Sequence, residues 1–264
     1  AGRLTIIVVA LLAVTAGCQS PGGTTPATET NATEPRSTAT SAPESEPNDT
    51  TETLTTAFAD RHLRTLQQAG NASVTRAVRT PETGRYDFFP VTPWSRSAAA
   101  SFDDGRFYST VRNPVLGVGW ATYRAENGTV FGISADSGYT TKSTNGSIDS
   151  DAPFRLTAVN VTMLEHSGHG SVDGVSGTVY ETSSVAAMGE QAFPQVDAAN
   201  VTAFTATYVV DDRGYAAYQR LNVTVERGNR TTRAVKTVRI SDVGSTTVEP
   251  PGWIDEANEQ PDGE

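Results

Sequence analysis

The clearest pattern in the chain is an alternation of apolar and polar residues in its last third. Every second residue is apolar in 204–210 and again towards the end of 215–225, with threonine or another polar residue between them. Glycine-containing turns at 211–214 and 226–229 separate these stretches from each other and from a third at 231–241. Because the side chains of a strand alternate between its two faces, this pattern predicts an antiparallel meander with one face in water.

Shorter stretches of the same kind predict further strands earlier in the chain. Asp-Asp-Gly and Glu-Asn-Gly each stand between two such stretches, which is typical of a β-hairpin. The polar stretch 138–150 is predicted to be a loop, and 187–197 fits either a short helix or a loop. The strands predicted in this way are 73–80, 98–102 with 106–112, 119–125 with 129–135, and 177–183.

Two stretches have the spacing of a helix. Residues 54–69 place three apolar residues near one face and stop at a glycine. The second stretch, 151–165, begins with Asp-Ala-Pro, a favoured helix start, and three of its apolar residues share a helical face. We predict a helix there, although 159–163 also alternates like a strand.

Composition divides the chain into four regions. Residues 19–53 contain no aromatic residue and almost nothing apolar beyond alanine, so they cannot bury enough surface to offset the entropy of ordering. The roughly 200 residues that follow suffice for one sizeable core. The predicted regions are a signal peptide at 1–17, a lipidated cysteine with a disordered Ser/Thr/Pro/Glu-rich stalk at 18–53, a globular domain at 54–255 and an acidic tail at 256–264.

The first eighteen residues resemble a secretion signal that ends in a lipid-attachment site. The apolar run at 4–16 would span about 20 Å as a helix, short of the roughly 30 Å of a bilayer core, and Arg3 supplies a positive flank. Thr-Ala-Gly-Cys, ending at Cys18, resembles the lipobox of prokaryotic lipoproteins, although threonine stands where leucine is usual. In such a site Cys18, the chain's single cysteine, becomes lipidated. The alternatives are an ordinary cleaved signal or an uncleaved anchor.

The chain is acidic, with a formal net charge of −10 from 30 acidic and 20 basic residues. Only two of the basic residues are lysines, Lys142 and Lys236. An acidic excess with few lysines and many threonines is typical of halophilic proteins, and an ordinary acidic surface protein is the alternative. The charge argues against nucleic acid as a partner, since phosphate binding needs clustered basic residues.

Nine of the eleven asparagines stand in Asn-X-Ser/Thr sequons, although serine and threonine make up only 59 of 264 residues. This excess indicates a glycosylated exterior face. The alternative is that Asn-Gly favours hairpin turns and threonine favours strands. Two sequons, Asn31 and Asn48, lie in the stalk. The candidate sites in the globular domain are Asn71, Asn127, Asn145, Asn160, Asn200, Asn222 and Asn229.

Few residues suggest catalysis or metal binding. His166 and His169 are spaced like metal ligands but have no acidic neighbour other than Glu165, so we interpret them as part of a polar loop. No Gly-X-Ser-X-Gly elbow occurs, and the aspartates at 103–104 and 149–151 suit turns and helix caps better than calcium. We therefore expect a protein that is not an enzyme and holds no metal or cofactor.

The remaining histidine and the aromatic residues are interpreted as structural. His62 stands between two arginines in the first predicted helix and is expected to face solvent. Trp253 is expected to dock on the end of the sheet. Trp94, Trp120 and the phenylalanines at 88–89 are assigned to the core or its rim.

The order of these parts resembles a known group. The motifs that carry the likeness are Gly-Val-Ser-Gly-Thr-Val-Tyr at 174–180, Tyr-Val-Val-Asp-Asp-Arg-Gly-Tyr at 208–215, Ile-Ser-Asp-Val-Gly at 240–244 and Val-Glu-Pro-Pro-Gly-Trp at 248–253. They are similar to haloarchaeal secreted lipoproteins whose folded part resembles LolA and the mycobacterial LppX/LprG lipoproteins, over about 54–255. The resemblance implies an α+β fold: a curved antiparallel sheet, or half-barrel, with helices packed on its concave side over an apolar cavity that holds lipid.

These observations lead to two hypotheses of function. In the first, the protein is a lipoprotein anchored through Cys18 to the outer face of the cell membrane. It binds a hydrophobic ligand, expected to be lipid, without catalysis. In the second, an envelope protein binds another protein, such as a surface-layer protein, and holds no ligand. A mostly apolar pocket of several hundred Å³ would favour the first hypothesis.

Overall fold

The computed structural model describes residues 53–80, 93–138, 140–144 and 146–259. The predictions for Cys18, the signal peptide, the stalk before residue 53, Asn145, the phenylalanines at 88–89 and the end of the acidic tail lie outside these residues. Within them the helices are α1 (Ala57–Gln68) and α2 (Ile254–Asn258). The strands are β1 (Asn71–Arg79), β2 (Trp94–Ser101), β3 (Phe107–Asn113), β4 (Val118–Arg124), β5 (Val130–Ser134), β6 (Thr140–Ser143), β7 (Glu165–Val172), β8 (Val175–Thr182), β9 (Val201–Val210), β10 (Ala216–Arg227) and β11 (Arg230–Ser241).

All eleven strands belong to one antiparallel sheet in the order β6-β5-β4-β3-β2-β1-β11-β10-β9-β8-β7. Two meanders, β1–β6 and β7–β11, are joined side by side because β1 pairs with β11, with Val74 opposite Ile240. In the described part of the chain β6 and β7 have one neighbour each, so the sheet is not closed. The predicted antiparallel sheet and the predicted meander at β9–β11 are confirmed.

One face of the sheet carries most of the hydrophobic core, and we call it the covered face. Val74 and Val78 of β1, Leu221 and Val223 of β10 and Val238 of β11 lie on it, each with 4% or less of its surface exposed. Period-two alternation produces this segregation, since a shift of one residue would move every apolar side chain to the other face.

Helix α1 packs on the covered face through residues four apart. Phe58, His62 and Leu66 recur at the spacing of one helical face, and all three are fully buried. The chain leaves the helix at Gly70, whose φ of +80° suits the glycine that commonly follows a helix. The predicted helix at 54–69 is confirmed, with a later start.

The predicted second helix at 151–165 is wrong. That region consists of turns and one 3-10 turn at Val161–Met163, and β7 begins at Glu165. Residues 151–165 pair with the β8–β9 connection, where the Asn160 N–H donates to the carbonyl of Ala187 at 2.8 Å. The connection itself is irregular, which settles the alternative left open for 187–197. We call 150–164 and 184–197 the covering segments, since they lie over the covered face.

Two predicted loops contain edge strands. Strand β6 lies in the polar stretch 138–150, and β7 contains His166 and His169, which were expected in a loop. An edge strand has one neighbour and little buried surface, so it forms by backbone pairing and needs no apolar alternation.

The second helix, α2, lies on the opposite face from α1. Ala257 packs there with Tyr123 and Phe131, and Trp253 packs against the same cluster, as expected from the sequence. None of the helices within the described residues combines the length and the hydropathy needed to cross a membrane.

Gly177 of β8 allows a close approach to β9, and its replacement by alanine is expected to destabilise the protein by about 1–3 kcal/mol. A Cβ atom there would lie 2.4 Å from the carbonyl oxygen of Val210 and 3.0 Å from Val209 Cγ1, and a backbone oxygen cannot move aside. Gly170 lies opposite Gly177 in β7, and a Cβ there would meet only Val179 Cγ2, at 3.7 Å. Chemical denaturation of both variants checks this, and equal losses for Gly170→Ala and Gly177→Ala would contradict it.

Candidate functional site

A row of polar side chains crosses the otherwise apolar covered face. Arg96 of β2 lies opposite Arg76 of β1. Beyond Val238 of β11, the row continues with Gln219 of β10 and Tyr208 of β9. Polar groups in a core are expensive unless they are bonded, so each member needs a partner.

Three members of the row hold the first covering segment. Arg76 donates from Nε and Nη2 to two backbone carbonyls in 153–155. The Tyr208 hydroxyl donates to the carbonyl of Thr157 at 3.0 Å, and the Thr157 N–H donates to Gln219 Oε1 at 3.0 Å. Because residues 153–157 of this segment lie outside helices and strands, side chains of the sheet bond several of their backbone groups.

The bonding at this contact is incomplete. Gln219 Nε2 and Thr157 Oγ1 are buried and have no hydrogen-bond partner among the described residues. Each such group costs about 1–3 kcal/mol in general. The contact between the row and the covering segment therefore leaves one buried polar group on each side without a partner among the described residues.

Arg76 and Arg96 form a like-charge pair. Both side chains are half-buried and directly opposite, and burial lowers the pKa of both, to about 10 for Arg76. Arg96 Nε donates to Ser109 Oγ at 2.9 Å. In the described ranges no carboxylate lies within 4.0 Å of either guanidinium. Like charges directly opposite each other in a sheet are destabilising, and of the two residues only Arg76 bonds the covering segment.

A small pocket lies two residues along the strands from this pair. Its volume is about 120 Å³. The sheet side is formed by Val78 of β1, Trp94 opposite it in β2 and Lys236 opposite it in β11. The other side is the turn 191–195 of the second covering segment, which includes Phe193. The pocket therefore lies between the sheet and its cover and is partly open.

Lys236 brings a third cation to this corner. It is 7% exposed, and its Nζ donates to the carbonyl of Ala192 at 2.9 Å. Burial, and secondarily the charge of Arg76, lowers the pKa of Lys236 to about 8. The ammonium group still carries its proton at neutral pH, and it stands in the wall of an otherwise mostly apolar pocket.

Four larger grooves among the described residues are open to solvent, and two of them, of about 390 Å³ each, lie over β3–β4 and β10–β11. Of the remaining two, one, of about 490 Å³, runs beside α1 near Leu63 and Leu156. The other, of about 510 Å³, lies over β7–β9, where the Glu181 carboxylate accepts hydrogen bonds from Ser167 Oγ at 3.1 Å and Thr207 Oγ1 at 3.0 Å. The first is a shallow surface beside a helix and the second has its carboxylate already bonded. Neither offers an enclosed apolar space.

The sequons of the described residues are scattered over turns, strand ends and the middle of β10, and they form no common site. Asn127, Asn160 and Asn229 are exposed, and Asn71, Asn200 and Asn222 are half-buried. Asn222 lies on the uncovered face, as expected, and its Nδ2 donates to Thr205 Oγ1 at 2.8 Å. Glycosylation at these positions stays a prediction.

The expected position of His62 is wrong, because this residue is fully buried between α1, the first covering segment and β10. His166 and His169 are exposed in edge strand β7. Within the described part of the chain, no group of three His, Cys, Asp or Glu residues is placed to hold a metal ion.

The sequence analysis missed the residues of this corner, although a signal was present. Arg76, Gln219 and Lys236 each interrupt the apolar phase of their strand, as in Val74-x-Arg76-x-Val78. A polar residue at a position where the alternation predicts an apolar one either bonds an irregular segment or is available to bind a ligand.

A large, open antiparallel sheet with irregular segments over one face defines the class of fold, a β-rich α+β protein. The chain matches the model of a family of unknown function, DUF7537, over residues 3–257, and it belongs to that family. No curated protein matches the chain.

Proposed function

We propose that this protein binds one end of a hydrophobic molecule between its sheet and its covering segments, without catalysis. The observation that carries the proposal is the pocket of about 120 Å³ between Val78, Trp94 and the turn 191–195. A pocket with a sheet on one side and irregular chain on the other is typical of ligand sites, because loops can adapt where strands cannot.

The size of the pocket limits what it takes. At roughly 30 Å³ per water molecule, it has room for about four waters, which suits the end of an alkyl chain. A complete drug-sized ligand needs about 300–1,000 Å³. The remainder of a longer ligand must extend past the turn 191–195 or displace it.

We propose further that the sheet is a curved half-barrel with α1 on its concave side, and that the protein is a lipoprotein at the outer face of the cell membrane. The burial of α1 on the covered face supports the first part. The apolar run at 4–16, followed by Thr-Ala-Gly-Cys at 15–18, supports the second. Lipid is the ligand class that such a location favours.

Blocking the pocket is expected to abolish binding of decanol, a neutral ten-carbon alcohol. Val78→Phe places a larger side chain in the pocket, whereas Ala77→Phe places it on the other face of the same strand. Titration calorimetry below the solubility limit of decanol should give binding to the wild type and Ala77→Phe and at least tenfold weaker binding to Val78→Phe. No binding to the wild type, or equal binding to both variants, would contradict the proposal.

A second candidate is a protein-binding envelope component that holds no ligand. The tight core favours it: Phe58, Phe193, Phe204 and Leu221 fill most of the covered face at 3% exposure or less. Mass spectrometry of an organic extract of natively purified protein separates the candidates. A stoichiometric hydrophobic molecule supports the first, and a clean extract supports the second.

A further inference from the structure

Three cations lie in or near the pocket: Lys236 lines it, and Arg76 and Arg96 lie two residues along their strands from its lining residues Val78 and Trp94. Arg76 and Arg96 lie directly opposite each other, and Lys236 lies one strand over and two residues along from Arg76. With about 4.8 Å between strands and about 3.4 Å per residue, these backbone positions lie within roughly 8 Å of Arg76. A cluster of three positive charges in so small an area is costly without an anion.

The hydrogen bonds that these residues make within the fold leave their positive charges without a paired carboxylate among the described residues. Arg76 holds the carbonyls of 153–155, and Lys236 bonds the carbonyl of Ala192. Arg96 bonds one hydroxyl, that of Ser109, through Nε. Carbonyls and hydroxyls are neutral acceptors, and within the described ranges no carboxylate pairs with any of the three cations.

We infer that the ligand is an anionic amphiphile, whose carboxylate or phosphate oxygens are bound by the Arg76–Arg96 pair while its apolar chain enters the neighbouring pocket. This inference rests on the proposed function and adds the charge of the ligand to it. A guanidinium presents planar N–H donors that match two oxygens of a carboxylate or phosphate. An anion bound by both guanidiniums would also offset the repulsion between their charges.

Half-burial makes such an ion pair stronger than one at the surface. Water screens it less, and the apolar wall of Val78 and Trp94 prevents the anion from being fully hydrated on that side. Lys236 attracts the anion through its positive charge, because its hydrogen bond to the covering turn already fixes the position of its ammonium group. The site would thus discriminate between an alkyl chain with an anionic end and one with a neutral end.

The test compares decanoate, decanol and inorganic phosphate at pH 7 and one fixed salt concentration, by calorimetry on the full mature chain. Wild-type protein is expected to bind decanoate at least tenfold more tightly than decanol. Arg96→Gln should weaken decanoate binding about tenfold or more and leave decanol binding unchanged, and Arg96→Lys should restore part of the loss. Arg112→Gln removes one positive charge from the exposed, opposite face of β3 and should change neither.

Stability provides a second reading of Arg96. If its role is to bind a ligand, removing one member of a like-charge pair should leave the ligand-free Arg96→Gln variant at least as stable as the wild type. A lower melting temperature together with unchanged decanoate binding would assign Arg96 a structural role and overturn the inference.

The outcomes separate this inference from the proposed function. If neither decanol nor decanoate binds, the proposed function fails. If decanol binds and decanoate binds no more tightly, the proposed function stands and the inference fails. If inorganic phosphate binds as tightly as decanoate, and Val78→Phe affects neither, the corner is a site for a free anion and the amphiphile is ruled out.

Discussion

Replacing His62 by phenylalanine is expected to lower the free energy of unfolding by about 2–6 kcal/mol, because two buried backbone groups lose their partner at once. The Ala216 N–H donates to His62 Nδ1 at 3.0 Å, and His62 Nε2 donates to the carbonyl of Phe154 at 2.7 Å. These two partners require a neutral ring with its proton on Nε2. Phenylalanine fills a similar volume and removes both bonds, so the loss measures the bonds and not a cavity.

Denaturant unfolding followed by circular dichroism measures this loss. Arg64→Phe makes the same substitution at an exposed position of the same helix and is expected to change stability by about 0.5 kcal/mol or less. His62→Gln keeps a side-chain donor near the position of Nε2 and should fall between the two. A His62→Phe variant as stable as the Arg64→Phe control would show that these hydrogen bonds contribute nothing.

The expected effect is large because His62 connects three parts of the fold. It belongs to α1, bonds the first covering segment through Phe154 and bonds the start of β10 through Ala216. A helix on a sheet is otherwise held by non-directional apolar contacts, which permit sliding. Two hydrogen bonds to separate elements fix its position along the sheet.

Sequence spacing contained the information needed to place His62 correctly. It lies four residues after Phe58 and four before Leu66, which puts it in the middle of the buried stripe. The flanking arginines suggested a polar surface, but neighbours at i−1 and i+2 point to other faces of a helix. Periodicity should therefore outweigh the chemistry of adjacent residues.

The prediction of the sheet succeeded where one face is buried and failed where the backbone is irregular. Alternation in β9–β11 follows from burial on one face along most of their length, so the sequence records it. The stretch 151–165 carries helix signals, yet side chains of the sheet satisfy its backbone, led by Arg76, Gln219 and Tyr208. Local sequence patterns carry no information about these long-range hydrogen bonds, and tertiary contacts override the local helix propensity.

The candidate site was partly readable from the sequence. Arg76, Gln219 and Lys236 stand out as polar residues at apolar positions of their strands. The distances between them could not be predicted from the sequence, since they depend on the pairing of β1 with β11, which joins the two meanders into one open sheet. Residues that violate the pattern of a core and then converge in space are the expected signature of a functional site.

Acidification from pH 7 to pH 4.5 is expected to cost the wild type about 2–3 kcal/mol more stability than it costs the His62→Gln variant. Burial is the main reason that the pKa of His62 is lowered from 6.5 to about 4; the bond to Phe154 opposes the shift and the charge of Arg76 adds to it. As the pH falls, the unfolded chain takes up the proton first. The stability that depends on the neutral ring is fully present above pH 6.5 and is lost between pH 6.5 and 4.

The comparison isolates His62 because both proteins share every other titrating group. Lys236 has a folded pKa of about 8 against an ordinary value of 10.5, so its contribution changes above that window. The pKa of Asp104 is lowered to about 2, first by its hydrogen bond from Arg106, so its contribution is lost mainly below the window. Urea unfolding at half-unit steps of pH gives the two stability curves. Parallel curves from pH 7 to pH 4.5 would mean that the folded protein admits a proton on His62 as readily as the unfolded chain does, and the buried ring would then have no fixed neutral tautomer.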